Sequence, residues 1–424
     1  MGTGAVGLNL AVASKIYLLE PQWNPSMELQ AIGRALRLGQ GEHVSIVRYV
    51  MKDTVEDSNV LSRQRRKLRL ADGGFSSKRK MSADRLETIS SHINDIMTSF
   101  IKPIPKSILI LGAAGHIGRP LAEFLVREAP TIRLRLATSN PEKIKDLQSA
   151  FPGAEVVQAS YHDASSLLAA VNGVEGVFVI TPPGMQEEKP MTDLVAALKS
   201  SDTATHIIRL TGIFPELPPH RVPSSLGRGS LPVEHPIAKR ILDASGLPVT
   251  YINSGASFLD NLPLLMRPVA ERKTLVWPEH RVPFIDPRDI AEVAGRLFLS
   301  PDARHVGAFH TMNNGHDLLR FADVAAIVSE VLGVPVAYDG SFGAFSEVYA
   351  PVMGARMVRA MWDFFKFEEA NEETWALNDF VERTLGRRPQ TVRGWLLEHE
   401  ETLLAGGGSA GWVSSRGGAG ARLV

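Results

Sequence analysis

The stretch that decides the fold is Ser107-Ile-Leu-Ile-Leu111, followed directly by Gly112-Ala-Ala-Gly115-His-Ile-Gly118. The first five residues are a short apolar run of the kind that forms a buried parallel strand, and a helical pattern at Ile117–Arg127 follows. The first glycine allows a tight turn, the second lets backbone N–H groups approach a pyrophosphate, and the third lets the helix pack closely on the strand. The helix N-terminus adds N–H donors and a positive dipole. The stretch predicts a dinucleotide-binding loop; the alternative is a purely structural turn.

Apolar segments and helical patterns alternate on both sides of this loop, as they do in a parallel sheet covered on both faces. The predicted strands are Ile108–Leu111, Ile132–Ala137, Val156–Gln158, Val177–Ile180, His206–Leu210 and Val249–Ile252. The remaining helical patterns are Pro141–Ala150, Ala164–Val171, Pro190–Lys199 and Pro236–Ala244. We therefore predict an α/β fold, a doubly wound parallel (Rossmann) sheet with a smaller, mostly helical C-terminal substrate lobe.

The composition of the chain changes along its length and predicts five segments. Residues 1–74 carry a Gly-rich turn, strands at Lys15–Leu19 and Val44–Val50, and a basic helix. A polar linker at 75–105 precedes the Rossmann domain at 106–254, and the substrate lobe at 255–404 is partly interleaved with that domain. The Gly/Ser-rich tail at 405–424 has too few apolar residues to bury, so we predict that it is disordered.

Charge and composition exclude several classes of function. The 424 residues contain 46 Lys+Arg and 46 Asp+Glu, so no global basic field exists to hold nucleic acid. The absence of cysteine excludes disulfides, thiolate nucleophiles and Cys-type metal sites. There is no apolar run of about twenty residues and no basic leader before the first apolar residues, so we predict no membrane partner and a cytoplasmic protein.

The end of the second predicted strand bears on the choice between NAD and NADP. NAD-binding proteins usually place an acidic residue here to bind the ribose 2′-OH. This chain instead has Leu136-Ala-Thr138-Ser139-Asn-Pro-Glu-Lys143. Thr138, Ser139 and Lys143 suit a 2′-phosphate, so NADP(H) is favoured over NAD(H). The same residues also read as a helix N-cap before Pro141, and both interpretations can hold together.

Five ordered motifs resemble the NmrA-like, atypical short-chain dehydrogenase/reductase family, over about 106–404. They are Gly112–Gly118, Val177–Pro183, Leu242–Asn261, Pro283–Ala294 and Leu385–His399. That family contains both NAD(P)H-dependent reductases and NADP-sensing regulators without catalysis. The resemblance implies that Gly112, Gly115, His116, Ile117 and Gly118 cradle the pyrophosphate. It further implies cofactor contacts from Tyr161, Thr181, Pro182, Pro183, Thr211 and Gly212.

If the chain is a reductase, the sequence offers two candidates for its general acid. No Tyr-x-x-x-Lys pair occurs, and Glu234-His235-Pro236-Ile-Ala-Lys239 stands at the start of the last predicted helix instead. Pro236 suits the first helical position, which would place His235 at the cap and Lys239 on the same face. Transfer of hydride to a carbonyl or quinone builds charge that a positioned donor can neutralise. We predict His235 as the donor and Lys239 as the second candidate, against an ordinary solvated helix start.

Residues that follow strand ends should line the substrate pocket. Phe214, Phe258 and Asn261 come after strands on the carboxyl side, where ligands bind in open α/β sheets. Core packing is the alternative for both phenylalanines. The histidines show no ligand spacing, so no metal site is predicted.

A second resemblance covers about 1–70. Gly2–Leu10, Pro21–Pro25 and Gln30–Gln40 resemble the last two helicase motifs of Snf-type chromatin-remodelling ATPases, which implies an incomplete RecA-like fragment. In that family Arg34 and Arg37 reach ATP phosphates. The chain has no G-x-x-x-x-G-K-[ST] loop, so we expect no ATPase activity.

Together these observations predict an NAD(P)H-dependent reductase that transfers hydride to a small organic electrophile, such as a quinone, enone or iminium. The alternative is a redox-sensing regulator that binds the dinucleotide without turnover and acts through a protein partner. We interpret the basic run Arg63–Arg69 as part of a solvated helix. The alternatives are a nuclear signal or a contact with nucleic acid. The sequence does not define the oligomeric state.

Overall fold

The computed structural model describes residues 15–18, 45–48, 101–182, 184–214 and 221–404. The chain divides into two compact units, Met1–Thr98 and Ser99–Val424, which are described separately. Arg34, Arg37, the basic run, Pro183 and the tail from Ala405 lie outside the described residues.

The described part of the first unit is a pair of strands. Strand β1 (Lys15–Leu18) pairs in parallel with β2 (Ser45–Arg48), with Lys15 opposite Ser45. Both strands were predicted, with slightly longer bounds.

The second unit is built on a parallel sheet. Its first six strands are β3 (Ser107–Leu111), β4 (Arg133–Thr138), β5 (Glu155–Gln158), β6 (Gly176–Val179), β7 (His206–Thr211) and β8 (Val249–Ser254). Their spatial order is β5-β4-β3-β6-β7-β8, which confirms the predicted doubly wound arrangement. A seventh strand, Phe309–Met312, extends the sheet beyond β8 and was not predicted. It is an edge strand in which two adjacent polar residues, His310 and Thr311, interrupt the apolar run that marks the central strands.

Helices cover both faces of this sheet. They begin with α1 (Gly118–Glu128), α2 (Ile144–Ala150), α3 (Ala164–Val171), α4 (Glu188–Ser201) and α5 (Leu231–Asp243). Ile108 and Ile110 of β3 pack with α1 and α2, whereas Leu109 and Leu111 pack into the core that contains α3, α4 and α5. This strict alternation of one strand between two cores is the reason its sequence is apolar throughout.

Helix α5 begins earlier than the sequence predicted. Its N-cap is Ser230 and the proline in its first turn is Pro232, so Pro236 lies inside the helix. The prediction that Pro236 takes the first helical position, with His235 at the cap, is therefore wrong. Pro236 stands only one turn from the start, where its missing N–H costs a single bond to the carbonyl four residues before.

The C-terminal lobe is mostly helical, as predicted, and carries two small sheets. Its strands are β9 (Ser257–Phe258), β10 (Thr274–Val276), β11 (Arg281–Ile285), β12 (Phe309–Met312), β13 (Leu318–Arg320) and β14 (Ala337–Asp339). Its helices are α6 (Leu262–Arg272), α7 (Pro287–Leu299), α8 (Phe321–Leu332), α9 (Phe342–Met353), α10 (Ala355–Glu369), α11 (Phe380–Leu385), α12 (Val392–Glu398) and α13 (Glu400–Leu404). Strand β12 and helix α7 return to the main sheet and its core, so the lobe is interleaved with the Rossmann domain.

Residues 101–105, assigned to the linker by the sequence, belong to the folded unit. The Lys102 ammonium donates to the Phe298 carbonyl at 3.0 Å, and the Lys102 backbone N–H donates to the Pro301 carbonyl at 2.8 Å. The Pro105 ring packs so closely on Gly176 that a Cβ there would lie 3.1 Å from it.

These contacts make truncation a graded test of the boundary. A chain lacking residues 1–98 should bind dinucleotide as the full chain does, because none of the Lys102 contacts is lost. A chain lacking residues 1–105 should unfold at a lower urea concentration, with a loss of about 1–3 kcal/mol for the two hydrogen bonds. Equal midpoints for the two truncations would contradict the assignment of residues 101–105 to the folded unit.

Candidate functional site

The loop between β3 and α1 has the geometry that its glycines require. Gly112 has φ +74°, a conformation that side chains with a Cβ rarely adopt, and a Cβ on Gly118 would lie 2.3 Å from the Gly112 carbonyl oxygen. The Gly115 N–H donates to the same carbonyl at 2.9 Å. The loop is therefore tightly folded on itself and has no room for larger residues at its first and last glycines.

The N-terminus of α1 opens from this loop without a side-chain cap. Ile117, at the N-cap position, is fully buried, so only its backbone is available to a ligand. Uncapped N–H groups at a helix N-terminus bind anionic groups well, because the donors and the helix dipole act in the same direction. In the first turn the Arg119 N–H donates to the Gly115 carbonyl at 3.0 Å and Pro120 has no N–H, so the first turn offers the Gly118 N–H. This donor, the loop backbone before it and the space that the glycines leave suit a diphosphate.

His116 of the loop contacts the C-terminal lobe. Its Nδ1 lies 2.8 Å from the Asp260 Oδ2, and its ring stands edge-on to Phe258 at 5.5 Å. The predicted phosphate contact of His116 can therefore come from its backbone, while its side chain joins the loop to the segment that begins the lobe.

The residues predicted to meet the adenosine ribose lie together at the end of β4. Thr138 is buried and its hydroxyl accepts from the Asn140 N–H at 3.2 Å, whereas Ser139 is exposed. Asn140 caps the short 3-10 helix Pro141–Lys143, as the alternative interpretation predicted. The neighbouring Arg119 on α1 pairs with Asp146. No acidic residue stands at the strand end itself.

A buried ionic network follows β6 and was missed from the sequence. Arg209 of β7 is fully buried, and its Nη2 donates to both Glu187 carboxylate oxygens, at 2.7 and 2.8 Å. The Thr181 hydroxyl donates to Glu187 and accepts from Arg209 Nη2 at 3.0 Å. The Tyr161 hydroxyl donates to the Ile180 carbonyl at 2.9 Å, next to this threonine, and burial raises its pKa. These bonds fix the chain after β6, where Thr181 and Pro182 were predicted to meet the cofactor.

A second group of hydrogen bonds fixes the chain after β7. The Thr211 hydroxyl donates to Asn253 Oδ1 at 2.9 Å, and the same oxygen accepts from the Ile213 N–H at 2.7 Å. The Gly212 N–H donates to His235 Nδ1 at 2.5 Å. Thr211 is therefore occupied by Asn253, and the backbone at Gly212 is held in place from α5.

His235 is neutral in this setting. Burial lowers its pKa well below the ordinary value, and the positive charge of Arg209 acts in the same direction. Because Nδ1 accepts from Gly212, the ring proton is on Nε2, which lies 3.5 Å from a Glu187 oxygen. The catalytic role of His235 stays a prediction, and the geometry favours a role in positioning Gly212.

Lys239 does not join His235 at the sheet edge. Its ammonium lies 2.6 Å from the Asp243 carboxylate and 4.6 Å from the centre of the Tyr251 ring. Both partners hold it over the middle of β8 rather than at the strand end, so its geometry gives no support to a catalytic role.

A cleft of about 70 Å³ opens at the carboxyl edge of β7 and β8, between the sheet and the lobe. Most of its walls are apolar or backbone, and Phe214 is one of them, as predicted. Phe258 and Asn261 are not: Phe258 packs on His116 and the core, and Asn261 starts α6. The lining residues are Gly212, Phe214, Ser254, Gly255, Ala256, Ser257, His280, Val282, Phe364, Glu368 and Trp375.

Four polar side chains line this cleft, Ser254, Ser257, His280 and Glu368, and none of them was predicted. Glu368 of α10 is 5% exposed, and burial raises its pKa to about 8, opposed by the nearby Trp375 indole N–H. Ser254, at the end of β8, has a buried hydroxyl without a hydrogen-bond partner among the described residues. Ser254 lies within a motif of the resemblance, whereas Glu368 stands in a charged helix with no signal to distinguish it.

Within the described ranges, no group of three or more His, Asp or Glu residues could hold a metal ion. In the same part of the chain, no helix combines the length and the apolar character that crossing a bilayer requires.

The doubly wound sheet, the glycine loop on the N-terminus of α1 and the cleft at the adjacent strand ends define a Rossmann-type NAD(P)-binding fold with a mostly helical C-terminal lobe. The NmrA-like family model matches residues 105–396, and the chain belongs to this family.

Solved structures of similar fold include reductases and a regulator. An NADPH-dependent quinone oxidoreductase of Escherichia coli, complexed with NADPH, has a TM-score of 0.59 at 21% identity, covering 69% of this chain and 99% of that one. The triphenylmethane reductase of Citrobacter has a TM-score of 0.59 at 21% identity, covering 70% and 99%. NmrA, a negative transcriptional regulator in complex with NADP, has a TM-score of 0.56 at 16% identity, covering 73% and 100%. At these identities the likeness establishes the fold alone.

The N-terminal part of the chain is similar to other proteins. The human helicase-like transcription factor is 44% identical over 95 residues, and the DNA repair protein RAD5 of Candida albicans is 40% identical over 86. These matches cover 22% and 20% of this chain but only 9% and 8% of the relatives. The predicted resemblance to a helicase fragment is confirmed, and the chain spans less than a tenth of the relatives it matches.

Proposed function

We propose that the chain binds NADP(H) and reduces a small organic electrophile. The observation that carries this proposal is the juxtaposition of two features at one sheet edge. The glycine loop and the uncapped start of α1 suit a diphosphate, and the apolar cleft at the ends of β7 and β8 suits an acceptor.

Solved relatives support the choice of cofactor. The quinone oxidoreductase carries NADPH, the triphenylmethane reductase carries NADP(H), and NmrA has been seen with NADP and with NAD. In this chain the end of β4 has exposed Ser139 where an acidic residue would repel a 2′-phosphate, and Lys143 is four positions later. We therefore favour NADPH over NADH.

When bound, the reduced nicotinamide would supply two electrons and a hydrogen to the acceptor. The chain's own residues would do the positioning. The loop would hold the diphosphate through backbone N–H groups, Thr181 would keep the segment after β6 in place through Glu187 and Arg209, and His235 would do the same for Gly212. Phe214 and Trp375 would exclude water from the acceptor, since both are buried cleft walls.

Oxidation of NADPH by the purified chain, followed at the nicotinamide absorbance with quinones, enones and cationic dyes, tests the proposal. Turnover with at least one class of acceptor is the expected result. Saturable NADPH binding with no oxidation by any acceptor would contradict it and favour the regulator, the function known for NmrA itself.

His235→Ala should lower turnover with little change in NADPH affinity. The substitution removes the acceptor of the Gly212 N–H, which is worth about 1 kcal/mol, or roughly fivefold in rate if Gly212 shifts in the cleft. Because the pKa of His235 is far below its ordinary value, wild-type turnover should show no ionisation of this group near neutrality. Arg240→Ala, on an exposed position of the same helix, is the control. Unchanged turnover in His235→Ala would remove the residue from the site.

A further inference from the structure

We propose that Glu368 is a catalytic residue that protonates the oxygen of a conjugated carbonyl acceptor, a quinone or an enone, and that the Ser254 hydroxyl binds the same oxygen. This inference rests on the proposed function and concerns those of its acceptors that carry a carbonyl group. It assigns the proton donor to the C-terminal lobe rather than to His235 on α5.

The position of Glu368 carries the argument. Glu368 lies on helix α10 of the C-terminal lobe, and Gly212 directly follows strand β7 of the main sheet. Both residues line the cleft. A Cβ on Gly255 would lie 1.9 Å from the Trp375 ring, so this glycine is what lets the indole pack beside the carboxyl group. An acceptor in the cleft would therefore meet aromatic walls and one acid.

His280 lies beside the Glu368 carboxyl group and brings no positive charge to it. Its Nδ1 lies 2.9 Å from the Pro278 carbonyl and must carry the proton, which leaves Nε2 as an acceptor 3.5 Å from Glu368 Oε2. Burial lowers the pKa of His280 to about 4, so the ring is neutral near pH 7. The single proton of Glu368 can lie on the oxygen that faces His280 or on the oxygen that faces the cleft, and the second form is the one that donates to an acceptor.

The charges around Glu368 do not favour its ionised form. Lys366, two residues before it, pairs with Glu369 at 2.7 Å, and Arg320 pairs with Glu372 at 2.7 Å and Glu279 at 3.5 Å. Each of these cations already has a carboxylate partner, and His280 is neutral. Glu368 is thus a neutral acid near pH 7, the form that can give a proton.

Ser254 gives an independent sign of a polar ligand. Its hydroxyl is buried in the cleft and has no hydrogen-bond partner among the described residues. A buried polar group without a partner costs about 1–3 kcal/mol, and an acceptor oxygen seated between Ser254 and Glu368 would remove that cost. The Phe214, Phe364 and Trp375 rings that surround it suit a flat conjugated compound.

When bound, the reduced nicotinamide would supply a hydride, that is, its C4 hydrogen with the electron pair of the C–H bond, to the acceptor. The carbonyl π pair moves to the acceptor oxygen, which takes the Glu368 proton. Oxidised nicotinamide, a reduced acceptor with a new O–H bond and a Glu368 carboxylate result, and water returns a proton to the carboxylate.

Two acceptors separate this inference from the proposed function. Menadione needs a proton as well as hydride, whereas crystal violet, a triarylmethyl cation, is neutralised by hydride alone. Glu368→Gln should lower turnover with menadione at least about 100-fold, the usual contribution of a general acid, and leave crystal violet turnover within about twofold. Glu347→Gln, at an exposed position of α9 in the same lobe and outside the cleft, is the matched control and should behave as wild type.

Equal menadione turnover in Glu368→Gln and wild type would overturn the inference and leave the proposed function standing. Failure of wild type to oxidise NADPH with either dye or quinone would instead overturn the proposed function, and this inference with it. If Glu368→Gln does not fold, Glu368→Asp keeps the acid and should retain a measurable, reduced menadione rate; full loss in a folded protein would also contradict the assignment.

Infrared spectroscopy of the protein gives a readout that needs no turnover. Wild type should show a protonated carboxyl C=O band that disappears as pH rises through about 8, and Glu368→Gln should lack it. Menadione turnover should fall over the same range, because the donor loses its proton. Absence of the band from wild type at neutral pH would overturn the inference.

Discussion

Gly118→Ala should reduce NADPH affinity at least about 100-fold while the protein stays folded. The new Cβ would lie 2.3 Å from the Gly112 carbonyl oxygen and 2.9 Å from the Ala113 Cα, and both are backbone atoms that cannot move aside cheaply. The helix start must shift away from the loop, which separates the N–H groups that would share the diphosphate. Losing two hydrogen bonds to a charged ligand costs about 3–6 kcal/mol, and 1.4 kcal/mol is tenfold in affinity.

Two other glycines make the test quantitative. A Cβ on Gly115 would lie 3.2 Å from the same carbonyl, so Gly115→Ala should weaken NADPH binding less. Gly153 has no atom within 4 Å of its added Cβ and should tolerate alanine without effect. Isothermal titration of the three variants, with circular dichroism to check folding, should rank them in that order. Wild-type affinity in a folded Gly118→Ala would contradict the assigned role of the loop.

Arg209→Met should cost about 3–5 kcal/mol of unfolding free energy. Arg209 and Glu187 are 0% and 2% exposed at the side chain, and the substitution leaves the carboxylate buried without its cation. Thr181 would remain as its hydroxyl donor, which cannot replace a full charge. Urea unfolding at neutral pH measures the loss.

The matched control is an exposed ion pair on α4. Lys189 pairs with Asp193 but is 81% exposed, so Lys189→Met should change the unfolding free energy by less than about 1 kcal/mol. The double variant Arg209→Met/Glu187→Met should recover most of the loss, because two Arg209 nitrogens have no partner even in the intact pair among the described residues. A single-variant loss under about 1 kcal/mol would show that the pair does not hold the segment after β6.

The sequence predicted those parts of the fold that depend on local pattern. Continuous apolar runs such as Ser107–Leu111 identified the six central strands, and the glycine spacing identified the loop. Each of these signals is contained in a few consecutive residues, so it can be recognised without knowledge of the tertiary contacts. The edge strand β12 and the true start of α5 were missed. Strand β12 is supported by its partner β8 rather than by its own residues, and α5 continues through Pro236 because the packed turns beyond it outweigh one lost bond.

For the candidate site, the sequence carries a local signal on the cofactor side and little signal on the acceptor side. The glycines from Gly112 to Gly118 shape a single local turn, and a short sequence motif is enough to predict such a turn. Glu368 reaches the cleft only because helix α10 lies beside the ends of β7 and β8. These strands precede α10 by more than one hundred residues, so no local pattern connects them. Arg209 did carry a signal, since a lone arginine in an apolar strand needs a buried partner, but its partner Glu187 reads as an ordinary helix start.

The most direct test of the account is titration of the folded full-length chain with NADPH and with NADH. The loop at Gly112–Gly118 and the acid-free end of β4 predict saturable binding of both, with NADPH the tighter ligand. Binding of neither nucleotide by correctly folded protein would contradict the dinucleotide site, and the reductase proposal and the role of Glu368 would fall with it.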